Sequence, residues 1–582
     1  MNIIFTGFIH PIFGVLSSFF LILGTELLGK FLLQRFVKLF FFLNLSFGII
    51  AISSVCYIFI ILGVSKYSNI VVAYILLLMG IYNVIIYKNF NFLQKINLKI
   101  LYVLFILFLL LIISITPPTM ADALGYHLGV ANYINQNHTW PNPHMWLHGN
   151  ISGLGEVYNS LGLLVYSDVT GSLTQFVGLS SFLYFFSKII KNIERLIFFN
   201  LFILSSPVII FLVSGAKFLL FPQLITTLVL YFLLSNKKID TNLFYVIIFL
   251  LCGTVSFKLS FLIPSLILGI LSLSKVNLNF KMIYKTSLIC IFFFLPKILF
   301  NALNFEQLSF PETLTGVPDE FLSTLKNFRE NYFIFPINLF IPDSLGKIST
   351  VLGANLFIFF LIKKFNKKNI QIFSICFITC VLYYFFSLSI GRLYYEIILW
   401  LSLLIIFGES FKINLKKINL FLYFCSSLVL LFLFFGIFSL APGLLNNKSR
   451  ELVMKNNAHE YQAIRWINNR IDKNKTIVTN LRSISLFNAK AIPMDYLSFN
   501  LPSNKIDGYI NFLINSKFDY LILRSFSKEF YPLFRECIEI KRVVSPEFTN
   551  EARNPHNRKN KYSVTILEFD NNNNMNCIKN LK

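Results

Sequence analysis

Long apolar runs separated by short basic breaks dominate the first 440 residues of the chain. A helix needs about 20 apolar residues to cross roughly 30 Å of hydrocarbon, and many runs approach that length. Backbone polar groups inside a bilayer must be satisfied within the segment, which makes such runs helices. The pattern predicts about fourteen membrane-spanning helices, near residues 10–29, 39–63, 70–87, 100–116, 169–187, 196–213, 218–234, 242–257, 259–274, 283–301, 348–362, 370–388, 393–408 and 418–440.

The pattern changes near residue 441, where the apolar runs shorten to the length of strands. AHEYQAIRWINNRI and KIDGYINFLINS have the spacing of helices, whereas TIVTN, FDYLILR and YSVTILEF are typical of strands. This alternation predicts a small α/β domain over residues 441–582 that ends in a frayed polar tail. Cys537 and Cys577 belong to this region, and they are the two cysteines able to pair in an oxidising compartment.

Composition supports a polytopic membrane protein, with 56% hydrophobic and 13% charged residues. The mean hydropathy is +0.68. Lys and Arg cluster in alternate connections, which places those connections in the cytoplasm. These clusters explain much of the formal charge of +24 and leave no support for a nucleic-acid partner. The connections 116–168 and 302–347, together with both termini, are then predicted on the outer side.

The predicted outer loop contains a stretch, residues 116–155, without a single Lys or Arg. Asp122 is its only acid. Ionisable groups at a membrane boundary are costly to desolvate and are often functional. The polar residues predicted at this boundary are Asp122, Tyr126, His127, Glu156, Lys217, Lys258, Arg392 and Glu396.

Simpler structural roles remain open for several residues of the loop. Asp122 has the residue type of a helix N-cap. His144 and His148 are four residues apart and would share a helix face as metal ligands. An interfacial aromatic helix, with Trp140 and Trp146 at the headgroups, is the favoured alternative for that segment.

The remaining candidates also have structural alternatives. Glu156 begins an amphipathic stretch, where a solvated charge at the start of a helix is common. Lys217, Lys258 and Arg392 are long enough to extend to the membrane interface without binding any ligand.

Four segments resemble those of the GT-C superfamily of membrane glycosyltransferases in their order along the chain and in their residue pattern. The resemblance is strongest to the branch of protein O-mannosyltransferases and lipid A aminoarabinose transferases. The four segments are TPPTMADALGYHLGVANYI, SGAKFLLFPQLITTLVLYFLL, TVSFKLSFLIPSLILGI and SIGRLYYEIILWLSLL. The resemblance covers roughly residues 100–570. It implies a GT-C-like core over residues 100–440, preceded by extra transmembrane helices within residues 1–99. The family often has two adjacent acids, whereas here Ala123 follows Asp122.

The resemblance implies transfer of a sugar from a polyprenyl-phosphate-linked donor to a glycan, lipid or protein acceptor. Asp122 takes the acid's position as general base, and a desolvated carboxylate would have a raised pKa. Arg392, Lys258 and Lys217 would bind the donor phosphate. The expected substrate-binding residues are Tyr126, His127, Glu156, Tyr394 and Tyr395.

Family members commonly bind a divalent cation, so Mg²⁺ or Mn²⁺ held by Asp122 with His127 or Glu156 is a further expectation. The expected location is a bacterial inner membrane, with the site on the outer face. Two other functions stay open, a secondary transporter and an O-antigen-type polymerase or ligase.

Overall fold

The computed structural model describes residues 10–86, 98–304, 337–342, 350–361, 366–386, 391–407, 415–498, 503–524, 539–549 and 561–569. Cys537, Cys577 and most of the predicted loop 302–347 lie outside these ranges. Helices dominate the described residues up to 440, and a small sheet domain follows them.

The helical part is that of an integral membrane protein. Six described helices are long and apolar enough to cross a membrane, or seven if one bent pair counts as a single span. The principal helices before residue 191 are α1 (Pro11–Leu33), α2 (Phe41–Ile61), α3 (Ser65–Ile86), α4 (Leu98–Ile115), α5 (Leu128–Asn137), α6 (Leu147–Asn150), α7 (Leu154–Leu164) and α8 (Thr170–Ile189). They are followed by α9 (Ile193–Leu204), α10 (Val208–Ser214), α11 (Leu220–Ser235), α12 (Thr241–Phe257), α13 (Leu262–Leu273), α14 (Phe280–Asn304), α15 (Lys367–Phe386), α16 (Gly391–Phe407) and α17 (Leu415–Leu440).

Two predicted spans differ from the structure. The run 196–213 is not one helix, because α9 and α10 meet at an angle of 74°. Pro207, which immediately precedes α10, has no N–H to continue the ladder of helix α9. In the run 348–362, the described helical segment is a 3₁₀ helix, Ala354–Leu361. At about 2.0 Å of rise per residue its eight residues extend for roughly 16 Å, which is less than the roughly 30 Å of hydrocarbon that a span must cross. The count of fourteen spans therefore stays a prediction.

Helices α1 to α3 pack closely because glycines remove side chains where their backbones meet. A Cβ on Gly29 would lie 1.8 Å from the carbonyl oxygen of Asn44, and one on Gly24 would lie 1.8 Å from that of Leu76. The hydroxyls of Thr25 and Tyr158 are 3.0 Å apart, which ties α1 to α7. The three N-terminal helices therefore support the segment that carries Glu156.

The sheet domain follows α18 (Asn447–Asn457) and contains the helices α19 (Tyr461–Asn468), α20 (Asp495–Ser498) and α21 (Ser503–Ser516). Its strands are β1 (Thr476–Thr479), β2 (Lys490–Pro493), β3 (Tyr520–Arg524), β4 (Glu539–Val544), β5 (Phe548–Thr549), β6 (Lys561–Tyr562) and β7 (Val564–Phe569). Five strands form one sheet in the order β2-β1-β3-β7-β4, and β5 pairs with β6. Strand β1 is parallel to β2 and β3, whereas β7 is antiparallel to its neighbours β3 and β4.

The sheet domain contacts the loop that follows α4. The Ser485 hydroxyl donates to the carbonyl of Leu124 at 2.6 Å, and the Tyr496 hydroxyl donates to the carbonyl of Pro143 at 2.6 Å. The Ser485 hydrogen bond brings the connection after β1 close to Asp122, and the Tyr496 hydrogen bond holds the segment after β2 against Pro143.

Candidate functional site

Asp122 directly precedes a five-residue π-helix, Ala123–His127, that leads into α5. Its side chain makes no capping hydrogen bond, so the N-cap alternative is wrong for this carboxylate. π-helical turns are rare in proteins, and those that do occur often lie at functional sites. The turn leaves the Asp122 carboxylate free to interact with groups from other segments.

Cationic side chains from four segments surround Asp122. The Arg482 guanidinium donates to Asp122 Oδ1 at 2.9 Å. Asp122 Oδ2 lies 3.6 Å from Arg392 Nη1 and 3.9 Å from Lys217 Nζ. Lys258 also acts on Asp122 electrostatically. We call Asp122, Lys217, Lys258, Arg392 and Arg482 the cationic cluster.

Lys217 is held in the cluster by the connection between α10 and α11. The Gln175 amide nitrogen donates to the carbonyls of Leu212 and Gly215 at 2.6 and 2.7 Å, and its oxygen accepts from the N–H groups of Leu219 and Leu220 at 3.1 and 2.9 Å. One buried side chain thus satisfies four backbone groups around Lys217.

Arg392 and Lys258 occupy the ends of other helices. Arg392 is the second residue of α16, and its carbonyl accepts from the Gln223 amide at 2.8 Å. Lys258 follows the last residue of α12. A Cβ on Gly153 would lie 2.1 Å from the carbonyl oxygen of Ser256, so only glycine lets the start of α7 approach the Lys258 segment.

Sequence reasoning missed Arg482, which follows β1. Its backbone N–H donates to Glu460 Oε2 at 2.8 Å, as does that of Ser483 at 3.1 Å. A Cβ on Gly125 would lie 3.1 Å from the carbonyl oxygen of Arg482. A usable signal existed, because the carboxyl ends of parallel strands are where sites form in open α/β sheets.

The cationic cluster changes the expected charge states. Burial raises the pKa of Asp122, but Lys217, Arg392, Arg482 and Lys258 outweigh it, and the net shift is downward. The prediction of a raised pKa is therefore wrong in the free protein, because the sequence could not count the neighbouring cations. Asp122 is ionised at neutral pH.

The pKa values of the two lysines of the cluster are also lowered, which disfavours their charged forms, whereas the lowered pKa of Asp122 favours its charged form. Burial, followed by the charges of Arg392 and Lys258, holds the pKa of Lys217 well below its usual value. Burial and the charge of Arg392 lower the pKa of Lys258 to about 8. Neighbouring positive charges disfavour a further one, so the site is short of negative charge.

His127 and Glu156 form a separate buried pair. His127 Nδ1 lies 2.5 Å from Glu156 Oε1, and Glu156 Oε2 accepts from the Gly153 N–H at 2.6 Å. Burial raises the pKa of Glu156 to about 7, and burial together with nearby cations lowers the pKa of His127. Glu156 is 3% exposed, so it is not the solvated charge considered above.

The predicted metal ligands do not assemble at Asp122. Within the described residues, no group of three or more His, Cys, Asp or Glu side chains is placed to hold a metal ion. Asp122 is surrounded by cations, which repel a divalent ion, while the Glu156 carboxylate is already engaged by His127 and Gly153. The residues present at Asp122 therefore do not fit Mg²⁺ or Mn²⁺.

His148 pairs with Asp495 of the sheet domain. Its Nδ1 lies 2.6 Å from Asp495 Oδ2, and its backbone N–H donates to the same oxygen at 3.2 Å. We call His148 and Asp495 the docking pair. His144 is outside the helix that contains His148 and contacts the carbonyl of Asn304 through Nε2 at 3.2 Å, so the two histidines do not share a helix face.

The aromatic candidates have mixed placements. Tyr126 is in the site, because its hydroxyl accepts from Lys217 at 3.2 Å and its ring stacks on His148 at 5.8 Å. Tyr395 donates to the carbonyl of Ile203 at 2.9 Å, and the Tyr394 ring contacts Tyr383 at 5.7 Å. These contacts place Tyr394 and Tyr395 in the packing between helices. Trp140 and Trp146 are buried within the fold, which excludes headgroup contact in this arrangement.

Solved structures and family models give the wider context. No curated protein matches the chain. Two crystal structures of ArnT from Cupriavidus metallidurans are similar, one bound to undecaprenyl phosphate at 10% identity and a TM-score of 0.45, and one in the apo state at 9% and 0.42. Each comparison covers 81% of this chain and 97% of the ArnT chain.

ArnT is an aminoarabinose transferase of the GT-C group, the group that this sequence resembles. A family model described as the DUF1420 N-terminal domain matches residues 73–454, more than half of the chain. The chain therefore belongs to the DUF1420 family.

Proposed function

We propose that the protein is a membrane glycosyltransferase that takes a sugar from a polyprenyl-phosphate-linked donor. The observation that carries the proposal is the cationic cluster, in which side chains from separate segments converge on one carboxylate. The cluster lies at the ends of apolar helices, where a lipid-linked phosphate would arrive from the bilayer. The proposed location is a bacterial inner membrane, with the cluster on its outer face.

The charge balance favours an anionic ligand. Four cationic side chains face one carboxylate, an excess of three formal positive charges when both lysines are protonated. Burial, and after it the repulsion from neighbouring cations, lowers the pKa values of Lys217 and Lys258. A phosphate would reduce this repulsion, and the two guanidinium groups offer paired N–H donors to its oxygens.

The same charges suit the departure of a phosphate. When the sugar C1–O bond breaks, the electron pair stays on an oxygen of the polyprenyl phosphate. Fixed cations stabilise that developing charge without having to reorganise during the reaction. Arg392, Lys217 and Lys258 would serve this purpose.

Asp122 would act as the base for the acceptor once the donor is bound. In the free site, nearby cations keep the pKa of Asp122 low. A bound phosphate shares those cations and adds negative charge nearby, which raises the affinity of Asp122 for a proton. Attack by the acceptor oxygen or nitrogen on the sugar C1 would then transfer its proton to Asp122.

The first test is binding of undecaprenyl phosphate, the ligand named for one similar structure, to the full-length protein in nanodiscs. We expect saturable binding that weakens about tenfold in Arg392→Ala. Undecaprenol, which lacks the phosphate, is the control ligand and should bind much more weakly. Equal affinity for the two lipids would exclude the proposed donor class.

The second test concerns transfer itself. Cells that carry the wild-type protein are compared with cells that carry Asp122→Asn by mass spectrometry of their envelope glycans and lipids. We expect a glycosylated product that is lost in Asp122→Asn, although the purified variant still binds undecaprenyl phosphate. Retention of the product at wild-type levels would remove Asp122 from the role of base.

A further inference from the structure

We propose that Arg482, which the sheet domain contributes, is a ligand of the donor phosphate, and that Glu460 is the positioning residue for Arg482. This inference rests on the proposed function. It makes the sheet domain a part of the active site in addition to its packing against the helices.

Among the three cations that form ion pairs with Asp122, Arg482 has the most exposed side chain. That exposure is 58% for Arg482, compared with 22% for Arg392 and 5% for Lys217. The Arg482 guanidinium therefore forms the solvent side of the cluster, and Lys217 forms its buried side. A phosphate that enters the cluster from the bilayer would therefore have Arg482 on its solvent side, opposite the buried Lys217.

Glu460 holds Arg482 without neutralising its side chain. The Glu460 carboxylate is 1% exposed and accepts from the backbone N–H groups of Arg482 and Ser483. The second carboxylate oxygen accepts from the Arg524 guanidinium at 3.2 Å. Because Glu460 binds the backbone, the Arg482 guanidinium remains available to Asp122 and to a ligand.

The backbone around Glu460 is itself constrained. Glu460 has a φ of 60°, in the left-handed region that non-glycine residues rarely adopt. Such conformations persist where the surrounding structure over-determines them, and they concentrate at functional sites. Here three hydrogen bonds to one buried carboxylate fix the conformation.

The segment after Arg482 fixes its distance from Asp122. The Ser485 hydroxyl donates to the Leu124 carbonyl in the π-helix, and the Arg482 carbonyl lies close against Gly125. Asp122 and Arg482 are therefore held by the same two neighbouring segments. A phosphate beside Asp122 would find the Arg482 guanidinium already in place, which lowers the entropic cost of binding.

The experiment measures undecaprenyl phosphate and undecaprenol binding to the full-length protein in nanodiscs. We expect Arg482→Ala to weaken phosphate-lipid binding about tenfold and to leave undecaprenol binding unchanged. Arg465→Ala is the matched control, because Arg465 lies in the same domain, is 47% exposed and pairs with Glu451. This control should bind both lipids as the wild type does.

A double-mutant cycle tests the role of Glu460. Glu460→Gln should weaken phosphate-lipid binding several-fold, and it should have little further effect in the Arg482→Ala background. A loss of the same size in both backgrounds would mean that Glu460 acts on the site independently of Arg482, which overturns the positioning role. Circular dichroism of each variant reports whether the sheet domain is folded.

The outcomes separate the two proposals. No preference of the wild type for undecaprenyl phosphate over undecaprenol overturns the proposed function. A wild-type preference that Arg482→Ala retains in full overturns only the role of Arg482. An equal loss of binding to both lipids in Arg482→Ala also overturns that role, because the effect would not depend on the phosphate.

Discussion

The cationic cluster and the docking pair both join the loop after α4 to the sheet domain, and each contains one aspartate. In the docking pair, Asp495 faces one imidazole and accepts two hydrogen bonds from His148. In the cationic cluster, Asp122 is outnumbered by its cationic neighbours. A balanced pair suits a fixed contact between two parts of a protein, whereas an excess of one charge suits a ligand of the opposite charge.

Charge reversal at Arg392 should break the cluster most severely. Arg392→Glu replaces four cations and one acid by three cations and two acids, so the formal excess falls from three to one. We expect undecaprenyl phosphate binding to weaken by about a thousandfold, since both a charge-assisted donor and the net attraction are lost. Titration of the variant in nanodiscs measures this change.

Lys490→Glu provides the control for charge reversal. Lys490 is exposed at the start of β2, and its reversal gives the protein the same net charge as Arg392→Glu. Similar weakening in both variants would show that the overall charge of the protein attracts the lipid, with no special role for the cluster.

Truncation at the docking pair should affect stability instead of binding. Asp495→Ala removes the acceptor of two His148 hydrogen bonds from a partly buried contact. We expect a loss of about 3 kcal/mol in the free energy of unfolding of the sheet domain. Urea unfolding followed by the fluorescence of Trp466 measures the change.

The same variant sharpens the contrast between the two regions. Asp495→Ala should retain undecaprenyl phosphate binding within about threefold of the wild type, as long as the domain is folded. A loss comparable to that in Arg392→Glu would mean that the docking pair belongs to the binding site.

The sequence identified most of the cationic cluster but not its arrangement. Asp122, Lys217, Lys258 and Arg392 each follow or begin an apolar run, and alternate ends of membrane helices return to the same side. Their approach to one another follows from that topology. Arg482 lies in a polar connection after a four-residue strand, and nothing in its local pattern shows that the connection contacts the π-helix.

Two sequence predictions were wrong, one for a non-local and one for a local physical reason. The pKa of Asp122 depends on neighbours that are up to 360 residues away in the chain, so burial alone gave the wrong sign. Apolar spacing predicted one helix over 196–213, but Pro207 within that run interrupts the backbone hydrogen bonds locally. Strands β1, β3 and β7 were predicted, because their short apolar runs are buried whichever segments lie next to them.

The docking pair should stabilise the protein within a defined pH range. Asp495 and its hydrogen bonds raise the pKa of His148 above 6.5 despite its burial, and the pair lowers the pKa of Asp495 below 3.8. The histidine's contribution is present below pH 6.5 and is lost as the pH rises through its raised pKa. The aspartate's contribution is present above pH 3.8 and is lost as the pH falls through its lowered pKa.

The pair should therefore stabilise most between about pH 4 and 6.5. We expect His148→Gln to cost on the order of 1 kcal/mol in that range, and less once the pH has risen above the pKa of His148, where neither the wild type nor the variant is charged at this position. Melting temperatures of the wild type and of His148→Gln, measured from about pH 4 to pH 9, show the difference at each pH. A difference that does not change with pH would mean that the contact depends on shape alone.

The smallest expected effect is uptake of a proton by the cationic cluster at pH 8. The pKa of Lys258 is about 8 in the free site, so about half of its side chains are uncharged at that pH. A bound phosphate raises the pKa of Lys258, and that of Lys217 with it, because it replaces repulsion by attraction. Binding of undecaprenyl phosphate should then take up roughly half a proton or more.

Isothermal titration calorimetry in two buffers with different ionisation enthalpies measures this uptake. Lys258→Met should reduce it, whereas Asp495→Ala should leave it unchanged, because the docking pair gains no new charge when the lipid binds. Release of protons by the wild type at pH 8 would contradict the charge balance assigned to the cluster. The sign of one small proton transfer thus distinguishes a site that lacks an anion from a contact that is already neutral.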